Sequence, residues 1–165
     1  MKSVLFALLA FVFIAPACAQ QQRKSPHETV SDGGISVTYG RPYKKGRDIF
    51  GSLEPYGKVW RAGADEATEI TFAKDAMLAG KHIKAGTYTL FVIPEAKEWT
   101  IILNSELKQW GAYEYDKIKG KNVAQVKVPV INLDQVVEQF TIRFAGGNMI
   151  MEWDKTQVKL PVMLH

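Results

Sequence analysis

Apolar and polar residues alternate along most of the chain. Ile35, Val37 and Tyr39 are separated by Ser36 and Thr38; Val126, Val128 and Val130 by Lys127 and Pro129; Phe140, Ile142 and Phe144 by Thr141 and Arg143. Val158, Leu160, Val162 and Leu164 close the chain in the same way. A period of two is the signature of strands with one packed face and one wet face. Thr87 to Ile93 and Trp99 to Leu103 are denser in apolar and β-branched residues, which suits strands covered on both faces. Glu69 to Phe72 reads as a further strand. Turn-forming residues stand between these runs, at Asp32-Gly33-Gly34, Ala79-Gly80-Lys81, Pro94-Glu95-Ala96-Lys97, Gly146-Gly147-Asn148 and Asp154-Lys155-Thr156. The spacing predicts about eight to ten short strands, with no amphipathic helix long enough for a βαβ unit. The expected fold is all-β, a two-sheet antiparallel β-sandwich with a jelly-roll as one arrangement, and helical fragments only near Asp48 to Tyr56 and Asn104 to Gln109. The stretch from Arg41 to Ala67 breaks the rhythm. Irregular connections above about 12–15 residues are uncommon in compact domains and tend to be functional, so this loop is the first place to look for a site.

One apolar run does not alternate. Val4 to Ala15 follows Lys2 and is followed by Ala17-Cys18-Ala19, with small residues at the two positions a signal peptidase reads. Residues 1–19 are therefore expected to be a secretory signal peptide, and residues 20–165 a single β-sandwich domain. Twelve apolar residues fall short of the about 20 a membrane-spanning helix needs, so no transmembrane span is expected. A competing reading makes Cys18 the lipid-bearing first residue of an outer-membrane lipoprotein, although Ala15 stands where that signal usually has a larger aliphatic residue. Both readings place the protein outside the cytoplasm, periplasmic or extracellular in the first case.

Composition agrees with one packed domain: 165 residues are 47% hydrophobic and include 4 Trp, 6 Tyr and 8 Phe. A disordered tail, a collagen-like fibre and a disulfide-stapled miniprotein are excluded. The single cysteine forms no internal disulfide and, once cleaved or lipidated, leaves no thiol for nucleophilic, metal or redox chemistry. Charge changes the picture more. The 21 basic and 17 acidic residues give +4, which falls to +3 without Lys2. Between Arg41 and Arg61 alone stand Arg41, Lys44, Lys45, Arg47, Lys58 and Arg61 against Asp48 and Glu54, a local +4 that leaves everything outside it at −1. The basic excess is confined to the long loop.

Arginines interleaved with Tyr43, Phe50, Tyr56 and Trp60 suit a ligand with a ring face and an anionic group. The same residues also suit a structural part, with Arg41, Arg47 and Arg61 tying the loop down and Trp60 and Phe50 plugging the core. In Trp60-Arg61-Ala62-Gly63-Ala64-Asp65-Glu66-Ala67-Thr68 two carboxylates follow an arginine just before a strand. In extended chain Asp65 and Glu66 project to opposite sides, and Glu66, sharing a face with Thr68, is the weak candidate for a catalytic acid or base. The candidate ligand-binding residues are Arg41, Arg47, Trp60, Arg61 and Glu66. Trp110, Tyr113 and Tyr115, with Asn104 and Gln109 nearby, offer a second aromatic and amide cluster of the kind carbohydrate sites use, or an edge cluster closing the sandwich. No G-x-S-x-G, phosphate-cradling Gly-rich loop or H-E-x-x-H is present, and His27, His82 and His165 stand alone. No metal and no cofactor are expected. Nucleic-acid binding is disfavoured by export and by the small net charge.

Tyr39-Gly40-Arg41-Pro42, Lys45-Gly46-Arg47-Asp48-Ile49-Phe50-Gly51, Tyr56-Gly57-Lys58-Val59-Trp60-Arg61-Ala62-Gly63-Ala64, Ala85-Gly86-Thr87-Tyr88-Thr89-Leu90-Phe91, Glu98-Trp99-Thr100, Trp110-Gly111-Ala112-Tyr113 and Glu152-Trp153 together resemble the bacterial family filed as domain of unknown function 2911. The resemblance runs from about Ser25 to Leu164 and implies one exported domain; it implies no catalytic residue. The family pattern favours asparagine at the position of Asp65. The expected function is an envelope or periplasmic binding module for a small anionic or carbohydrate ligand. The alternatives are an extracytoplasmic glycan hydrolase or lyase using Glu66, and a non-catalytic envelope assembly partner working through strand edges.

Overall fold

A computed structural model describes residues 22–165. The expected signal peptide and Cys18 lie outside the described residues. Nine strands follow one another: β1 (His27–Asp32), β2 (Ile35–Gly40), β3 (Glu69–Phe72), β4 (Ala76–Leu78), β5 (Lys81–Ile83), β6 (Gly86–Pro94), β7 (Glu98–Asn104), β8 (Asn122–Ala145) and β9 (Asn148–Leu164). A single four-residue helix, α1 (Tyr115–Ile118), and a 3₁₀ turn at Lys119–Lys121 sit between β7 and β8. Among the described residues no helix is long and apolar enough to cross a membrane.

The all-β, antiparallel architecture expected from the alternation is the one adopted. Every strand pair is antiparallel, and the nine form one open sheet in the order β1-β2-β3-β6-β7-β8-β9-β4-β5. Two separate sheets are not needed, because β8 and β9 serve both halves. The start of β8 pairs with β7, and the remainder pairs with β9 across register shifts between Asn132 and Thr141. At these irregularities the long ribbon folds back on itself, so that the Gly147 carbonyl, just ahead of β9, accepts a 3.0 Å hydrogen bond from the N–H of Val162 near the far end of that strand. Asp154-Lys155-Thr156 is thus a bend inside β9, with Asp154 at φ 54°, and not the hairpin turn its composition suggests.

Folding one half of the sheet over the other buries the alternating apolar faces against each other. Ile35, Val37 and Tyr39 of β2 join Val126 and Val128 of early β8, Phe140 and Ile142 of late β8, and Met149, Met151 and Trp153 of β9 in a single core. Thr100 to Leu103 of β7 are buried at every position, as their composition requires of a strand covered on both faces. At the centre lie five rings. Trp60 is 5.0 Å from Phe140 and 6.1 Å from Trp153, and Phe50 is 4.8 Å from Trp99.

Neither expected helical fragment forms. Gly51 at φ 88° turns the chain between Ile49 and Glu54, and Lys108 at φ 59° interrupts the second segment. There the Asn104 side chain also draws on the backbone, accepting from the Glu106 N–H and donating to the Ile118 carbonyl. Such local bonds compete with a helix.

Candidate functional site

The loop from Arg41 to Ala67 laces together one end of the folded sheet. Its start crosses to β8, where Phe140 N–H donates to the Pro42 carbonyl and Lys44 N–H to the Glu138 carbonyl. Its middle pairs with β6, Trp60 and Val92 exchanging bonds of 2.7 and 2.9 Å. Its end meets the β7–β8 connection, where Glu66 bridges Trp110. Trp60 is the pin. It is 3% exposed and its indole N–H donates to the Gly63 carbonyl at 3.2 Å, so the next residue, Arg61, is delivered to the surface from a rigid base.

Two small clefts meet at Glu54 and Arg61. One, about 150 Å³, is also lined by Val59, Trp60, Ala112 and Tyr113. The other, about 250 Å³, extends toward Arg47, Leu53, Lys24 and Asp65. Arg61 is fixed between them by Nη1 donating to the Asp65 carbonyl (2.9 Å) and Nη2 donating to the Tyr113 hydroxyl (3.0 Å), with its guanidinium 5.2 Å from the tyrosine ring centroid. Tyr113 itself is 72% exposed. Arg47 is braced by its own turn, donating to the Lys44 and Tyr43 carbonyls at 2.9 and 2.5 Å.

Glu54 is the anomaly of this region. Among the described residues its carboxyl has no hydrogen bond and no ion pair, although it is half-buried beside two arginines. Burial pushes its pKa up to about 7 against the opposing pull of Arg61 and Arg47. It is a carboxyl that gains or loses its proton near neutrality.

The five candidate residues are distributed over three places. Arg47, Trp60 and Arg61 are brought together around the two clefts. Arg41 is turned away from them, pairing with Glu28 at 3.0 Å and donating to the Phe140 carbonyl and the Thr141 hydroxyl. Glu66 lines a third cavity of about 280 Å³ with Arg23, His27, Thr38, Glu69 and Lys108, which shares no lining residue with the other two. There its carboxylate accepts from Arg23 Nε at 2.8 Å and lies 2.9 Å from His27 Nε2. Partial burial pushes the Glu66 pKa up, but hydrogen bonds from its own N–H and from Arg23, with the charges of Arg23 and His27, outweigh that and hold it below the usual carboxylate value.

Asp65 points away from the Glu66 cavity, although the backbone there is a turn and not the extended chain that was expected. Its Oδ2 accepts the backbone N–H groups of Lys24 and Ser25, both at 3.0 Å, and bolts the leading segment to the site. The position has φ 63°, a conformation that only Asn, Asp and Gly visit readily. Asparagine and aspartate both provide the required oxygen, which reconciles the carboxylate here with the asparagine of the resembling pattern. In the aromatic cluster Tyr113 belongs to the site, whereas Tyr115 packs on Phe91 and Asn104 is fully buried in structural hydrogen bonds.

Sequence reasoning missed Glu54. It entered only as one of two negative charges in a basic loop, and nothing local separates it from Asp48. The available signal was its setting between Gly51 and Pro55, turn residues that fold the loop back and carry the carboxyl inward.

A model of the family described as a protein of unknown function (DUF2911) matches residues 21–162. No curated protein and no solved structure matches the chain.

Proposed function

The chain belongs to the DUF2911 family over nearly its whole length, and from that premise we propose that it is a binding module whose ligand, a small sugar or organic anion, is held in the paired clefts on either side of Arg61. The observation that carries this reading is the unpartnered Glu54 carboxyl where the clefts meet. A half-buried carboxyl that lies beside two arginines and pairs with neither leaves its oxygens available to an incoming ligand. Tyr113 adds an exposed ring and Arg47 and Arg61 add directional donors, which together match the few convergent polar groups on an apolar floor that small-molecule sites use. Export, through the segment 1–19 or a lipid on Cys18, is part of the same proposal and rests on the sequence of that segment.

The test is a panel of monosaccharides, sugar acids and small organic anions followed by amide chemical shifts. Shifts are expected at Glu54, Arg61 and Tyr113, and Tyr113→Ala, an exposed substitution that leaves the fold intact, should weaken the best ligand at least about tenfold, the loss of a stacking contact and a hydrogen-bond partner together. Shifts confined to the cavity around Glu66 and His27 would overturn the assignment.

A further inference from the structure

The charge pattern around Glu54 selects among small ligands. A guanidinium carries five N–H groups. Arg47 and Arg61 each commit two nitrogens to the carbonyls and hydroxyl that hold them, so both are fixed in direction and both keep N–H groups unused. Among the described residues neither is paired with an Asp or Glu side chain. Two pre-set cations without a partner anion therefore face the same cleft as one half-buried carboxyl. The remaining charged and titratable groups are accounted for. Asp65 is occupied by the Lys24 and Ser25 N–H groups, Lys24 lines the outer part of the larger cleft, and Tyr113 accepts from Arg61.

We propose that the clefts take a hydroxylated carboxylate, a uronic acid or a sugar acid of similar size, with the guanidiniums of Arg47 and Arg61 carrying its charge, its ring against Tyr113, and Glu54 in neutral form donating its O–H to the ligand. This rests on the reading of the clefts as a ligand site and names the ligand class. A neutral sugar would leave both cations unanswered. An ionised Glu54 would repel an acid ligand at close range, whereas a protonated one becomes a donor. Because burial already places Glu54 near neutrality, an anion that arrives at a pH above that point draws a proton from solvent onto it. Binding of the acid and uptake of that proton are one event.

Calorimetric titration of the protein with galacturonate, galactose and inorganic phosphate, at pH 5.5, 7 and 8.5 and in two buffers of different ionisation enthalpy, tests this. Galacturonate is expected to bind at least about tenfold tighter than galactose, to lose about 30-fold in affinity between pH 5.5 and 8.5, and to take up close to one proton at pH 8.5, as follows from tenfold per pH unit above the free value. Glu54→Gln, which keeps a donor but cannot titrate, should hold the low-pH affinity across the range with no buffer dependence. Equal affinity for galactose and galacturonate, a preference for phosphate, or a pH slope that survives in Glu54→Gln would overturn this inference while leaving a ligand site in place. Binding of none of the three by a folded protein would overturn both.

Discussion

Glu54 and Glu66 stand twelve positions apart in one loop and have opposite proton affinities, for reasons visible in what each touches. Glu66 is held as an anion by Arg23 and His27, while Glu54 is partly desolvated and, among the described residues, has no hydrogen-bond donor. This has a consequence for stability that is independent of any ligand. A carboxyl raised from 4.5 in the unfolded chain to about 7 in the folded one favours folding when neutral. Its contribution is fully present below about pH 4.5 and is lost as pH rises through about 7, an effect on the order of 3 kcal/mol across that window. Glu54→Gln should therefore raise the urea midpoint at pH 8 and change it little at pH 4. Equal midpoint shifts at the two pH values would show that the carboxyl is not strained. The candidate site was legible in part. The local +4 between Arg41 and Arg61 pointed to this loop, and Arg47, Trp60 and Arg61 do meet in it. Arg41 and Glu66 are drawn elsewhere by Glu28 and by the Arg23–His27 pair, partners far away in sequence that no local pattern reveals.

At the scale of elements, the site depends on how closely β2 approaches the turn after Trp60. A Cβ on Gly40 would lie 2.2 Å from the Ala64 carbonyl oxygen, and one on Gly63 would lie 2.8 Å from the Gly40 oxygen. Backbone faces backbone there, and neither side can yield as a flexible side chain does. Gly40→Ala should destabilise by at least the about 1–3 kcal/mol typical of overpacking, with the Ala62–Asp65 turn displaced. Chemical denaturation measures it, and a loss under 0.5 kcal/mol would mean that the two segments separate freely. The strands themselves were readable because period two survives in any register that buries one face. What periodicity does not encode is continuity. Val126–Val130 and Phe140–Phe144 look like two strands and are two parts of β8, and Asp154-Lys155-Thr156 has turn composition yet only bends β9. Helix-like stretches failed where Gly51 and Lys108 take positive φ, a property of the folded loop that residue type alone does not fix at a lysine.

For the molecule as a whole, one core couples both halves of the sheet. Trp60, Trp99 and Trp153 sit in the same ring cluster although they come from the loop, β7 and β9. Unfolding followed by near-ultraviolet signals from these tryptophans and by far-ultraviolet signals from the sheet should give one coincident transition; separate midpoints would show that the halves melt independently. The clamp that Asp65 places on Lys24 and Ser25 also gives the molecule a polarity. Lys24 and Ser25 lie beside the clefts, whereas Leu164 lies against Gly34 at the opposite end of β2, a strand length of roughly 20 Å away. A substitution at Lys24 or Ser25 therefore acts at the mouth of the larger cleft. A support joined beyond His165 leaves that mouth facing open solvent.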